Sequence, residues 1–215
     1  ATSALSALAR DTFSLNPRRA GNVYAIDGRS RWLVHHYLKP TDGDFEEVDR
    51  DGAIRDILGV GSEFRYEVIS KEDWFGRRLI ADKFRDRRVF IAGDAAHIWV
   101  PYAGYGMNAG IADATNLAWL LAAHIKGWAP YAILDAHEAE RWPITDQVSR
   151  FAMNHAHAMT RQRGGVPANI EDDDEQGEAT RSMASQHLYD LNVKRYCCAG
   201  LNFGYCYDHS PVIIY

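Results

Sequence analysis

The chain carries 215 residues, of which 47% are hydrophobic and 25% charged, with a formal net charge of -5 at pH 7. That balance suits a folded domain with a buried core and excludes a disordered or fibrous chain. The mild negative charge, with no basic stripe and no aromatic residues interleaved with lysines, gives no reason to expect a nucleic-acid partner. The richest apolar run, Leu117 to Ile125, is too short to cross a bilayer, so no membrane partner is expected.

Residues 1–20 carry no pattern that places them. Ala1 to Arg10 has small residues but no basic leader, so a secretory signal is not expected, and the missing initiating Met suggests that residues precede it. The three cysteines, Cys197, Cys198 and Cys206, lack zinc spacing and read as reduced thiols, which points to the cytoplasm. Residues 21–85 read as a β-rich portion. Two strand-like runs, Asn22 to Ile26 and Arg31 to Leu38, flank Asp27-Gly28-Arg29-Ser30, a hairpin turn. Asp51 to Gly59 reads as a short helix capped by Asp51, with Ile54, Ile57 and Leu58 on one face and Gly59 ending it. The alternation of Phe64, Tyr66 and Val68 with Arg65, Glu67 and Ile69 predicts a strand with one covered face.

Residues 86–160 hold the most informative segment. Arg88-Val-Phe-Ile-Ala-Gly93 predicts a strand buried on both faces, which requires parallel neighbours that the sequence does not offer. The strand stops at Gly93-Asp94, and Val100-Pro-Tyr-Ala-Gly-Tyr-Gly-Met-Asn-Ala-Gly110 leads into a helix over 108–126. Its predicted buried stripe is Ile111, Ala114, Ala118, Leu121 and Ile125, with Gly127 closing it. A second helix is expected from about Pro130 to about Thr160, kinked or interrupted at Pro143. Residues 161–178, with Glu171-Asp-Asp-Asp-Glu175, read as an acidic loop. Residues 179–215 read as a helix, about Thr180 to Lys194, and a connection towards a further domain.

The order of strand, Gly93-Asp94, Gly-rich loop and helix puts a carboxylate and free backbone N–H groups at a strand's carboxyl end, where open α/β sheets bind ligands. A flavin is the ligand it suggests. Asp94 can accept hydrogen bonds from ribityl hydroxyls or can cap a turn. Gly104, Gly106 and Gly110 leave room for a planar ring or for helix packing. Gly106, Met107 and Asn108 open a helix whose partial positive charge suits a reduced flavin. His97, His35 and His36 are better read as structural groups than as acid–base catalysts. Trp32, Tyr37, Trp74 and Tyr102 are either core aromatics or the wall of an aromatic pocket.

From Arg29 to about His157 the sequence resembles the FAD-dependent aromatic hydroxylases, the class A flavoprotein monooxygenases. The residues that carry the likeness are Gly93-Asp94-Ala-Ala-His97, Pro101 to Trp119, and Tyr131-Ala-Ile-Leu-Asp-Ala-His-Glu-Ala-Glu-Arg-Trp-Pro143. The stretch from Gly200 to Pro211 is similar, less specifically, to the exit towards a C-terminal thioredoxin-like domain. The resemblance implies an α/β fold: part of a FAD-binding Rossmann-like domain with a mostly antiparallel substrate-domain sheet and helices. It implies FAD as cofactor, held by Gly93, Asp94, Pro101, Gly104, Gly106, Met107 and Asn108, with NAD(P)H as co-substrate. Pro101 would press on the flavin ring and exclude water from a C4a-hydroperoxide, and so serve as the catalytic contact. A small aromatic substrate, phenolic or polycyclic, would meet O2 beside Trp32, Tyr37 and Tyr102. No metal is implied, and a homodimer is left open.

The departures are an absent Gly-x-Gly-x-x-Gly fingerprint with its acidic partner and an absent middle Asp-Gly motif. They suggest a fragment, inactive alone, whose missing N-terminal ADP-binding half is its partner. A non-enzymatic binding or assembly module that keeps the flavoprotein scaffold is the competing reading. A halogenase would need a tunnel Lys that cannot be placed.

Overall fold

The computed structural model describes residues 11–39, 41–198, 200–201 and 204–214. The chain divides into two compact units. One holds the residues up to Trp74 together with Thr160–His187; the other holds Phe75–Met159 and the residues from Leu188 onward. Helices and antiparallel strands make up both, in keeping with the α/β class expected.

In the first unit, β1 (Asp11–Ser14), β2 (Gly21–Ala25) and β3 (Trp32–His36) form an antiparallel sheet in that order. The expected hairpin is present, with Ala25 opposite Trp32 and Gly21 opposite His36. Its turn is built by Asp27, whose Oδ1 accepts from the N–H groups of Arg29, Ser30 and Arg31, each at 2.9 Å. Those backbone donors hold the Asp27 carboxyl well below the usual carboxylate range. Residues 1–20, unplaced from sequence, supply β1, which pairs Thr12 with Val23.

Helix α1 (Arg50–Leu58) lies over this sheet. Its cap is Asp49, not the expected Asp51: Asp49 Oδ1 accepts from Gly52 N–H at 2.9 Å, while Asp51 sits inside the helix and pairs with Arg55. Gly59 ends the helix in the left-handed conformation, as expected. Ser14 Oγ and Asn16 Nδ2 donate to the carbonyls of Ile57 and Asp56 at 2.6 and 3.1 Å, so the β1 exit satisfies the helix's last turn. Ile57, Ala53 and Val23 form the buried contact. Gly21 is required there, because a Cβ on it would stand 2.6 Å from Ile57 Cδ1 and 2.9 Å from the His35 carbonyl.

The strand expected over residues 64–69 is not formed. Residues 67–78 have no ladder partner among the described residues, and Val68 and Ile69 are exposed. The alternation is present, but backbone N–H and C=O groups need a second strand to make a ladder.

In the second unit, β4 (Leu79–Ile80) pairs with β7 (His97–Ile98), and β5 (Arg85–Asp86) pairs with β6 (Val89–Phe90), both antiparallel. This corrects the doubly buried strand at 88–93. Only Val89–Phe90 is strand, and Val89 is 65% exposed. No parallel neighbour stands beside it among the described residues, and a strand is buried on both faces only when such neighbours and their crossover helices cover it.

Helix α2 (Tyr105–Ile125) starts three residues earlier than expected and turns a different face inward. Asp113, Asn116, Leu120 and Ala123 are buried, whereas Ile111 and Ile125 of the expected stripe are 56% and 78% exposed. Past its end Gly127 has φ +75°, as a closing glycine should. A 3-10 turn, Tyr131–Asp135, leaves Pro130 and feeds α3 (Ala136–Gly164), which runs through Pro143 without interruption. The acidic loop is shorter than expected: α3 takes residues 161–164, a 3-10 turn takes Ala168–Glu171, and α4 (Glu175–Tyr196) begins five residues before Thr180. The main core is Trp99, Val100, Ile144, Val148, Ala152 and Ala156, flanked by Tyr102 and Tyr105. Among the described residues no helix is long and apolar enough to cross a membrane.

Candidate functional site: the loop at the start of helix α2

Two short segments meet at the amino-terminal half of α2. The first is the 3-10 turn Gly93–Ala95, which packs on α2. Gly93 and Gly110 make that contact backbone to backbone: a Cβ on Gly110 would lie 3.3 Å from Gly93 Cα. Gly110 is thus explained by packing rather than by room for a ring. Asp94, next in the turn, is exposed, and no described residue bonds its carboxylate.

The second segment is Pro101 to Gly104, a 3-10 turn that runs into α2. Ala103 and Gly104 both adopt positive φ, +64° and +67°. For Ala103 this is a strained conformation, held by the structure on either side of it. A Cβ on Gly104 or on Gly106 would meet no atom within 4 Å, so these two residues border open space. No side chain caps α2. Asn108 Nδ2 turns back to donate to the Gly104 carbonyl at 2.8 Å, which fixes the loop without occupying the first N–H groups. Pro101, Met107 and Asn108 are exposed along the same stretch. Exposed carboxylate, open glycine face and uncapped helix start fit a flat, partly anionic group with hydroxyls nearby.

Beneath the loop lies a buried polar network that the periodicity did not single out. Asp113 Oδ2 accepts from Gly93 N–H at 3.1 Å and from His97 Nε2 at 2.6 Å, and its Oδ1 accepts from Arg141 Nε at 2.8 Å. Burial pushes the Asp113 carboxyl up, but the bonds from His97, Arg141 and the Gly93 N–H outweigh it and hold the group below its ordinary value. His97 is enclosed, stacked on Trp99 at 4.8 Å, and acts as a structural donor. Asn116 donates to Glu140 and accepts from His137 Nδ1 at 3.1 Å, while Ser210 Oγ donates to the other Glu140 oxygen. The signal was available: Asp113 and Asn116, three apart among Ala and Leu, face His137, Glu140 and Arg141 on one stripe of α3.

The aromatic candidates are placed in both units. In the first, Trp32 is half-buried at the turn end of β3. The Tyr37 hydroxyl accepts from Asn22 at 3.0 Å, with the Arg163 guanidinium 3.7 Å from its ring. Trp74 is 61% exposed. His35 is exposed against Tyr24, and His36 is half-buried beside Arg19 and Asp42. In the second unit, Tyr102 borders the core with its ring against His155. Among the described residues no cluster could hold a metal ion.

A glycine-lined loop at an uncapped helix start, with a carboxylate in the preceding turn, is an arrangement suited to a nucleotide cofactor. The chain belongs to the FAD-binding domain family, whose sequence pattern matches residues 10–152. It is 35% identical over 178 residues to the FAD-dependent monooxygenase apdD of Emericella nidulans, a match that covers 78% of this chain and 28% of that protein. It is 40% identical over 160 residues to the rifampicin monooxygenase of Rhodococcus hoagii, over 72% of this chain and 30% of the relative. Among solved structures it is similar to the rebeccamycin biosynthetic enzyme RebC with reduced flavin. That likeness has a TM-score of 0.67 and 31% identity, and covers 86% of this chain and 34% of RebC. The chain therefore spans about a third or less of the length of these proteins.

Proposed function

We propose that this chain is the flavin-ring portion of a FAD-dependent monooxygenase that hydroxylates an aromatic substrate with O2 and NAD(P)H. The observation that carries it is the open face of Gly104 and Gly106 at an uncapped helix, in a chain whose preceding turn holds a carboxylate with no partner among the described residues. The relatives, named as FAD-dependent and rifampicin monooxygenases, support the reaction class.

In this reading Asp94 accepts hydrogen bonds from the cofactor's ribityl hydroxyls, with Gly93 setting its turn. Gly104, Gly106, Met107 and Asn108 present backbone N–H groups and the positive end of α2 to the side of the ring that gains charge on reduction. Pro101 offers a rigid apolar edge that keeps water from the ring. FAD, when bound, supplies the hydride acceptance and oxygen activation that side chains cannot. Tyr102, directly after Pro101, is the proposed aromatic contact of the substrate in the second unit. The adenosine end of the cofactor is assigned to residues outside this chain, because no Gly-x-Gly-x-x-Gly occurs in it.

The test is flavin retention by the full-length protein. Heat release should yield FAD, and Asp94→Ala should weaken FAD binding about tenfold or more, as loss of charge-assisted hydrogen bonds does. Unchanged FAD affinity in that variant removes Asp94 from the site. A full-length protein free of flavin favours the binding-module reading.

A further inference from the structure

Arg195, in the last turn of α4, is a half-buried cation for which the described residues provide no anion. It makes no ion pair and no hydrogen bond among them, and its Nε is enclosed without a partner. Its guanidinium rests instead on two aromatic rings, 5.7 Å from the centroid of Tyr102 and 5.0 Å from that of Tyr196. The opposite neighbour of Tyr102 is His155, ring to ring at 5.7 Å, whose Nε2 is likewise enclosed and unpartnered. By contrast, Arg141 is matched by Asp113, Arg19 by Asp42, and Arg78 by Asp146. A guanidinium half withdrawn from water, with its enclosed Nε–H left unbonded, suits an anion that arrives later.

We propose that Arg195, seated on Tyr102 and Tyr196 beside His155, is a receptor for the carboxylate of an aromatic acid. A guanidinium fits a carboxylate with two parallel hydrogen bonds, and the tyrosine rings next to it offer flat apolar surface to the ligand's ring. Burial and the Arg195 charge both hold His155 below its ordinary value. Tyr102 stands directly after Pro101 in the loop that opens α2. Assigning the bound acid as the substrate of hydroxylation rests on the flavin reading above.

The test uses the full-length protein, titrated with benzoate, acetate and benzamide by calorimetry at neutral pH. Benzoate should bind about tenfold or more tightly than either, since acetate lacks the ring and benzamide the charge. Arg195→Gln should weaken benzoate by about the same factor and leave benzamide unchanged, and Arg195→Lys should recover part of the loss. Arg150→Gln, on the exposed face of α3, should leave benzoate binding as it is. Circular dichroism of each variant confirms that the helices remain. Equal binding of benzoate and benzamide, or benzoate binding by Arg195→Gln at the level of the parent, overturns the receptor. Benzoate discrimination in a full-length protein that releases no FAD keeps the receptor and overturns its assignment to the substrate.

Discussion

Asp113 shows how one residue ties the functional loop to the core. It sits at 0% exposure between the Gly93 N–H, His97 and Arg141, so three elements depend on its charge. Asp113→Ala leaves the buried Arg141 cation unmatched and should cost about 3–5 kcal/mol, read as a lowered denaturation midpoint. The pH dependence follows from the sign of its shift. A carboxyl held below its unfolded value of about 3.9 contributes stability that is complete above that pH and lost as pH falls through the lower folded value. The parent should therefore lose stability more steeply than Asp113→Asn below about pH 4, measured by urea unfolding across that range. Asp94 was singled out in the sequence because Gly-Asp after a β-rich run is a local pattern. The Asp113 network was marked only by polar residues among apolar ones; its pairings were not legible, since its partners lie 16 to 28 positions away.

At the scale of elements, α2 separates two expectations. Apolar spacing marks Ile111 and Ile125 as core, and the structure leaves both exposed with Asp113 and Asn116 inside. The double variant Ile111→Lys, Ile125→Lys of this chain should shift stability by no more than about 0.5 kcal/mol for each exposed position. A core stripe would lose several times that in thermal unfolding. Around α1 the elements followed local signals closely, because caps and tight turns are made by residues two to four positions apart. Gly21 is the exception there, fixed by contact with Ile57 across 36 positions; Gly21→Ala should cost about 1–3 kcal/mol, measured by chemical denaturation. The expected strand at 88–93 failed for the complementary reason: its residues have β character, but a parallel sheet is a property of neighbouring strands.

The whole molecule is two units whose residues interleave, since Thr160–His187 joins the amino-terminal part. Sequence segments that run in order give no hint of that return. At this scale the flavin reading predicts ligand-linked stability. Full-length protein with FAD at 100 times its dissociation constant should gain about 2.7 kcal/mol, seen as a raised melting temperature. Asp94→Ala, at about tenfold weaker binding, should lose about half of that gain at the same FAD concentration, and an equal rise in both proteins removes Asp94 from the cofactor's contacts.

By itself the sequence determined the FAD-binding family, the hairpin around Asp27, the helix ended by Gly59 and the loop from Pro101 to Asn108. Each of these is written in residues close together along the chain, where spacing and backbone preference act directly. The tertiary structure alone decided which face of α2 is buried and that Gly110 exists to meet Gly93. It also decided that Asp113 is shared by His97 and Arg141, and that Arg195 has no anion among the described residues. Burial and charge pairing depend on what distant segments bring alongside a residue, and that is fixed only when the chain has folded.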